Sequence, residues 1–400
     1  MPDTPDLDTA SWYALGIPLY FLYVGIEIAL ARRRKEQIFG FAETLSNLSA
    51  GLGTLVIGLF AGPWVLRAWN LVHDHVAPWR WPTTGAWKLP AALVIADLCY
   101  YAYHRAGHRF ALFWAIHGIH HQHEHLNSSV GFRLEWLADP YAALFFGLMP
   151  LAGIDSTTGF AALALLSFYA LTAHSAGVPR PSWGFLISPA IHGSHHSRDA
   201  RFAEKNYGAM LGIWDRMFGT WLEPEPGEAM RRDVPSISRT HDGVTTQFTL
   251  VLELARAVRA KRSLAERVAL LLSRPVVAGP HAPLREDAEL DRTTRGYALT
   301  HFVALALLGV WLLSVRVVRP LAVEVVASAT ILAGLYTLGG ILDGRARARE
   351  HERVRLFLTV LAGAGLGLHA PVVGALVAAG AMAGLFGWTQ LDRRGSQRTS

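Results

Sequence analysis

Residues 89–108 read LPAALVIADLCYYAYHRAGH, an apolar run, Leu89–Tyr103, that passes without a break into two histidines four positions apart. The run approaches the roughly 20 residues that a helix needs to cross the hydrocarbon core of a bilayer. If the helix continues, His104 and His108 lie on one face of it. One segment therefore predicts both a membrane helix and a metal-binding group at its mouth.

The rest of the chain has a matching composition. Of 400 residues, 52% are hydrophobic and 17% charged, richer in apolar and poorer in charged side chains than an ordinary soluble domain. Further apolar stretches occupy Trp12–Ala31, Leu48–Leu66, Ala142–Ile154, Phe160–His174, Tyr297–Val315, Leu321–Leu342 and Leu356–Gly387. The last is long enough for a helical hairpin turning near His369–Pro371. The formal net charge of +6 rests on arginine, since lysine occurs only at Lys35, Lys88, Lys205 and Lys261. Arginines cluster beside apolar spans, at Arg32–Arg34, Arg231–Arg232, Arg345–Arg355 and Arg393–Arg394. This is the positive-inside distribution, and it implies no nucleic-acid partner. The Arg-over-Lys bias with abundant Ala and Gly fits a GC-rich bacterial genome, and the expected location is the bacterial inner membrane. The single cysteine, Cys99, excludes an intrachain disulfide. Met1–Ala10 lacks a basic n-region, so the first span is expected to remain as an anchor.

Placing Arg32–Lys35 in the cytoplasm fixes the parity of the later spans. The count puts His104 and His108, and then His174 through His196, on the cytoplasmic face; Arg316 and Arg319 alone disagree. The expected fold is all-α: a multi-pass transmembrane helical bundle with a cytoplasmic histidine-rich metal-binding cap. Its expected parts are an N-terminal anchor span (1–42), a catalytic domain (43–222), a polar and amphipathic linker (223–295), a C-terminal transmembrane bundle (296–390) and a basic tail (391–400). Within the linker, Thr249–Leu272 reads as one amphipathic helix, laid on the membrane surface or packed on the cytoplasmic domain.

Eleven of the 18 histidines fall between His104 and His196. Eight obey two spacings: H-x3-H at His104 and His108, and H-x2-H-H at His117, His120, His121 and again at His192, His195, His196. Neutral imidazole suits Zn, Cu, Fe and Ni. Eight nitrogens, or nine with His174 at the end of a span, exceed what one ion takes, so two ions are expected. Two redox-active ions can share the electrons needed to reduce O2 and break an unactivated C–H bond. The histidine shell differs from the carboxylate shells of soluble di-iron bundles. His123 and His125 read as a second layer or as solvent-facing. His73, His75, His241, His281, His301, His351 and His369 fit no ligand spacing. A zinc-dependent lipid hydrolase and a non-enzymatic metal-binding membrane protein are the rival readings; a transporter would place its ligands midway through the spans.

The boxes and their flanks resemble the fatty acid hydroxylase/sterol desaturase superfamily, integral membrane non-haem di-iron enzymes. The likeness is carried by Asp97–Arg105, by Phe113–His117 followed by Glu124, Asn127 and Arg133, and by Lys205–Gly208 with Gly212–Thr220. It covers roughly Glu43–Leu222. It implies two Fe ions, O2, an external electron donor or electron-transfer partner, and a membrane lipid substrate that is hydroxylated, or desaturated when a second hydrogen is lost. Beside the ligands, Glu124, Glu135, Asp139 and Glu204 are candidates to orient imidazoles, with helix capping the alternative for Glu135 and Asp139. Asn206 and Asp215 would brace the third box. Arg133 and Arg198 would meet a lipid phosphate or lie at the interface. Within the superfamily the chain is most similar to the alkylglycerol monooxygenase branch, through its C-terminal spans and the segment Thr337–Arg345. That branch has a glutamate after its first box, linked to tetrahydrobiopterin, where this chain has Arg109. Relatives acting on sterols, hopanoids or carotenoids with other donors therefore stand beside it.

Overall fold

The computed structural model describes residues 9–176, 184–197, 199–225, 240–275, 287–314 and 320–396, with side chains from 19 to 386. Arg198, Arg231, Arg232, His281, Arg316 and Arg319 lie outside the described residues. The structure is helical throughout, and the one strand-like feature among the described residues is an isolated antiparallel bridge between Leu186 and Leu211. The chain divides into two compact units. The first holds residues 1–239 and 246–283, the second 240–245 and 284–400.

The first unit begins with α1 (Thr9–Arg34), α2 (Phe41–His75) and α3 (Lys88–Arg109). Short helices follow, α4 (Ala111–His117), α5 (Ala138–Phe146) and α6 (Leu148–Leu151), and then the long α7 (Ser156–Ala173). Helices α3 and α7 run parallel. At one end Lys88 donates to Asp155 over 2.8 Å, and Asp155 also caps α7 through the Thr158 N–H at 2.9 Å. At the other end the two helices deliver His104, His108 and His174. Helix α2 runs the opposite way: Glu43 lies against His125, whereas Trp69, a core residue, donates to the Ile154 carbonyl over 3.0 Å. Trp69 fits because Gly159 of α7 has no side chain; a Cβ there would stand 2.2 Å from the indole.

Helix α1 ends beside the histidines. The Tyr20 hydroxyl donates to the Leu171 carbonyl (3.1 Å), and Glu27, fully buried, accepts from the Ser128 N–H (2.8 Å) and the Ser175 hydroxyl (2.9 Å). The basic triplet Arg32–Arg34 therefore stands at the histidine end of the unit. A buried carboxylate costs several kcal/mol unless it is hydrogen-bonded, and the bonds from Ser128 and Ser175 fix the approach of α1.

Two sequence expectations fail here. Ala142–Ile154 is not one continuous spanning helix: α5 and α6 have nine and four residues and meet at Gly147. At 1.5 Å per residue their combined length falls well short of the roughly 30 Å hydrocarbon core. Gly153, with φ of +82°, then turns the chain into α7. Thr249–Leu272 is likewise two helices, α10 (Thr245–Arg259) and α11 (Leu264–Leu272), following α8 (Pro189–His195) and α9 (Ile213–Met217) in the chain. The break is chemical. Ser263 and Glu266 form a reciprocal capping box that starts α11 afresh.

The second unit holds α12 (Arg292–Ser314), α13 (Leu321–Leu342), α14 (Ala348–Gly367) and α15 (Pro371–Ser396). Helices α14 and α15 form the expected hairpin, turning at Leu368–Ala370. They meet closely because glycines face each other; a Cβ on Gly374 would lie 2.3 Å from the Gly367 nitrogen. Past the end of α13, Asp343 accepts from the His241 N–H (2.7 Å) and ring Nδ1 (2.9 Å), and Arg345 pairs with Asp242 at 3.1 Å. The Thr337–Arg345 segment is thus a clasp on residues 240–245. Among the described residues, α2, α7, α12 and α13 are long and apolar enough to cross a membrane. Helix α3 falls outside that set because His104, Arg105, His108 and Arg109 occupy its last two turns.

Candidate metal centre

Each histidine box is built differently. His104 and His108 project from the last turns of α3. His117 ends α4, and the chain then tightens, His120 N–H bonding to the His117 carbonyl (3.0 Å) and His121 N–H to Gly118 (3.2 Å). The third box rides on α8, which Ser188 caps through the Ile191 N–H and Pro189 opens; His192 and His195 are helical and His196 is the C-cap. His174 is the C-cap of α7.

These nine residues form one buried cluster with two centres. The ligand nitrogens of His104, His108, His121 and His195 lie within 4.8 Å of one another, and those of His120, His174, His192 and His196 form a second such group. In the second group Nε2 of His174 is 2.9 Å from Nε2 of both His120 and His192, and His192 Nε2 is 3.2 Å from that of His196. Nitrogens bound at about 2.0–2.1 Å to one ion stand roughly 2.9–3.4 Å apart for right-angle to tetrahedral bonds, so the spacing fits a shared ion. His117 belongs to neither group of four. Its ring lies 4.8 Å from that of His104 and 5.0 Å from that of His108, on the side of the first centre.

The ring tautomers follow from the partners. Nδ1 of His104 faces the Tyr207 carbonyl (2.8 Å), that of His195 the Lys205 carbonyl (2.9 Å), and that of His174 the Ala170 carbonyl (2.9 Å). A carbonyl only accepts, so each Nδ1 carries the proton and each neutral Nε2 presents a lone pair to the cluster. His117 makes the corresponding bond to Glu135, Nδ1 to Oε1 at 2.7 Å. Metal-binding histidines are oriented in this way. The Nε2 atoms of His104, His108, His117, His121 and His195 are buried and without a hydrogen-bond partner, a cost that a bound cation removes.

Burial first, and the neighbouring imidazoles after it, hold His120, His121, His192 and His196 well below the ordinary histidine range. Burial likewise lowers His174 and His195 to about 4. The rings are therefore neutral at pH 7, the state in which imidazole binds a metal.

The segment after the third box acts as a scaffold. Asn206, at φ +60°, donates to the Ser194 hydroxyl (2.8 Å) between His192 and His195 and to the Leu222 carbonyl (2.7 Å). Asparagine tolerates this left-handed conformation better than most residues. Asp215 accepts from the Tyr207 and Gly208 N–H groups, both at 2.8 Å, and from Thr220. Asp97, fully buried on α3, accepts from the N–H groups of Met210 and Leu211 and from the Trp214 indole. Together they present the Lys205 and Tyr207 carbonyls to the histidines.

The other predicted neighbours separate. Arg133 is fully buried: its Nε donates to the Ile119 carbonyl (2.9 Å) between His117 and His120, and its guanidinium to Asn47 (2.9 Å). Both the lipid-phosphate and the interfacial readings of this residue are corrected accordingly; it is an internal strut. Asn127 caps the short 3-10 turn Ser128–Phe132 and donates to the Ile38 carbonyl. Glu124 is exposed, and its backbone N–H is held by Glu43; of the four predicted carboxylates, the one placed on an imidazole of the nine is that of Glu135. Glu204 pairs with Arg274 at 3.2 Å, and Asp139 lies in the first turn of α5. His125 pairs with Glu43, while His123 is buried with its Nε2 2.9 Å from His196 Nδ1. Glu27 and Glu43 went unrecognised as site supports. A carboxylate inside or at the mouth of an apolar span was the available signal.

Known proteins are similar in sequence to parts of this chain. Residues 89–220 match the Fatty acid hydroxylase family model. An alkylglycerol monooxygenase of Danio rerio is 26% identical over 79% of this chain and 74% of its own length. That of Xenopus tropicalis is 25% identical over 89% and 82%. An ornithine lipid hydroxylase of Rhizobium tropici is 30% identical over 38% of this chain and 46% of its own. No solved structure matches.

Proposed function

Because this chain belongs to the fatty acid hydroxylase/sterol desaturase superfamily, we propose that it is an integral membrane di-iron oxygenase. Its substrate is a membrane lipid with an aliphatic carbon to hydroxylate, and we favour the carbon next to the ether oxygen of an alkylglycerol. The observation that carries this reading is the pair of converging four-histidine groups, with Nδ1 atoms tied to carbonyls and Nε2 atoms turned inward.

His104, His108, His121 and His195, with His117, would hold one iron; His120, His174, His192 and His196 would hold the other. Bound there, the pair supplies reduction of O2 by two electrons from an external donor, so that one oxygen atom enters a C–H bond and the other leaves as water. The protein's part is positional. The carbonyls of Lys205, Tyr207 and Ala170 and the carboxylate of Glu135 hold the imidazoles in the binding tautomer. Burial keeps the rings neutral and water away. Against His117 lies a buried aromatic layer in which Tyr103 stacks on Tyr141 (centroids 4.2 Å apart) and Tyr141 on Phe113 (4.4 Å), which packs the first centre from that side. The basic triplet Arg32–Arg34 at the same end supports a cytoplasm-facing site.

The test is metal analysis of freshly purified active protein alongside lipid profiles of cells with and without it. About two irons per chain and O2 consumption support the proposal; zinc alone in active protein overturns it in favour of a hydrolase. His120→Ala should abolish product. Loss confined to ether lipids supports the alkylglycerol reading. A change in sterols, hopanoids or carotenoids moves the substrate to the neighbouring branch.

A further inference from the structure

On the side of α3 turned away from the histidines, two depressions share Arg105, Arg109 and Phe218. The first, about 310 Å³, is lined along α3 by Leu98, Ala102, Ala106 and Phe110 and closed by Tyr101 and Phe218. Its wall is apolar apart from the two arginines at its end. The second, about 300 Å³, is a basic tray in which Lys205 and Arg274 join Arg105 and Arg109, with Glu204 the single carboxylate.

The cations differ in what they already bind. Arg274 is paired with Glu204 at 3.2 Å, and Lys205 donates to the Gly219 carbonyl at 3.3 Å. Arg105 spends one N–H on the Tyr101 hydroxyl (3.1 Å). Arg109 lies over the Phe110 ring and has no hydrogen bond or ion pair among the described residues. Two exposed guanidiniums with spare donors thus stand where an apolar slot opens into a positive tray. They also stand just past the apolar run Leu89–Tyr103, so a bilayer around that run would bring its phosphates to them. Guanidinium matches phosphate in geometry as well as charge.

We propose that this groove holds one phospholipid with an anionic head group, drawn from the surrounding bilayer, its acyl chain in the slot and its phosphate on Arg105 and Arg109. The lipid is not the substrate. Tyr207, itself buried, forms the back of the tray with its ring 5.5–5.7 Å from those of His104, His108 and His195. The ring separates the bound lipid from the nitrogens of the cluster. A lipid seated there steadies the Lys205–Gly208 segment, whose carbonyls hold His104 and His195.

The experiment is native mass spectrometry of the full chain released from nanodiscs of mixed phosphatidylglycerol and phosphatidylcholine, with the fold checked by thermal melting. One phosphatidylglycerol should stay bound at energies that strip phosphatidylcholine. Arg105→Ala and Arg109→Ala should each weaken retention about tenfold, the scale of one hydrogen bond to a charged group. Ala102→Phe, which fills the slot and leaves the charges, should weaken phosphatidylglycerol retention without affecting inorganic phosphate. Equal retention of both lipids, or retention unchanged in all three variants, overturns the proposal. So does inorganic phosphate displacing the lipid equally from native and Ala102→Phe protein, which would make the tray a site for free phosphate. Binding of an acidic redox protein that is lost in the arginine variants, with no lipid retained, would assign the groove to that partner instead. Metal content and turnover are read separately, so failure here leaves the di-iron reading to its own test.

Discussion

Replacing Glu135 probes how the cluster is held, without removing a candidate ligand. Its Oε1 lies 2.7 Å from His117 Nδ1, and the two side chains are 11% and 3% exposed, so solvent cannot take over the bond. Glu135→Gln keeps an acceptor but gives up its charge. A hydrogen bond to a charged group contributes about 1.5–3 kcal/mol and a neutral one about 0.5–1.5. The difference, about 1 kcal/mol, corresponds to roughly a fivefold loss of affinity. Glu135→Ala frees the ring to turn and leaves Nδ1–H buried and unpaired. Loss of such a partner typically weakens metal binding or activity by about 10–100-fold. Chelator competition on purified protein reads the affinity, and the rate of lipid product reads the function. The expected order is native, then Gln, then Ala, in both measurements. If Glu135→Ala bound metal within twofold of native protein and turned over normally, His117 would not be a ligand held by this carboxylate.

Other consequences follow from the same geometry. His174→Ala removes one of the four inward nitrogens of the second group, so metal analysis should find about one ion per chain in place of two; retention of both would separate His174 from the centre. Gly107→Ala puts a Cβ 3.1 Å from both His117 Cγ and the Tyr141 hydroxyl, and should lower metal occupancy with little loss of helix, measured by circular dichroism beside metal content. Burial lowers His174 and His195 from 6.5 to about 4, so protons compete with metal only in acid. Metal content should stay level as pH falls from about 8 to 6 and drop steeply toward 4; loss beginning near pH 7 would contradict the neutral, buried cluster. The sign for metal-free protein is the same: the unfolded imidazoles take protons first as pH falls below 6.5, so the fold loses stability across that window and regains it on raising pH. Asn206→Ala removes three hydrogen bonds at a left-handed residue and should lower the melting temperature as well as activity, whereas Asn206→Gly, free of the backbone strain, should lose less.

The histidine spacing and the apolar runs were legible because each is local. Three or four residues set a helical face, and some 20 set a span. The bounds of α13 and the turn of the C-terminal hairpin could be read on that basis. The division of nine histidines into two groups could not. It depends on α7 delivering His174 beside His192, and on the second box leaving its helix after His117. Glu135 was among several carboxylates offered, and its choice over Glu124 is settled by the fold between Leu126 and Arg133. Ala142–Ile154 misled because apolarity alone does not register Gly147, where the short helices meet. In Thr249–Leu272 the periodicity of both halves hid a capping box that interrupts them. Glu27 was passed over within an apolar span because its partners, Ser128 and Ser175, are more than a hundred residues away.

Growth of expressing cells under 18O2, followed by mass spectrometry of their lipids, tests the central claim most directly. The account predicts a lipid product carrying one 18O atom in cells with the native chain and absent in those with His120→Ala. A product whose new oxygen comes from water, or one formed equally by the His120→Ala protein, would contradict it.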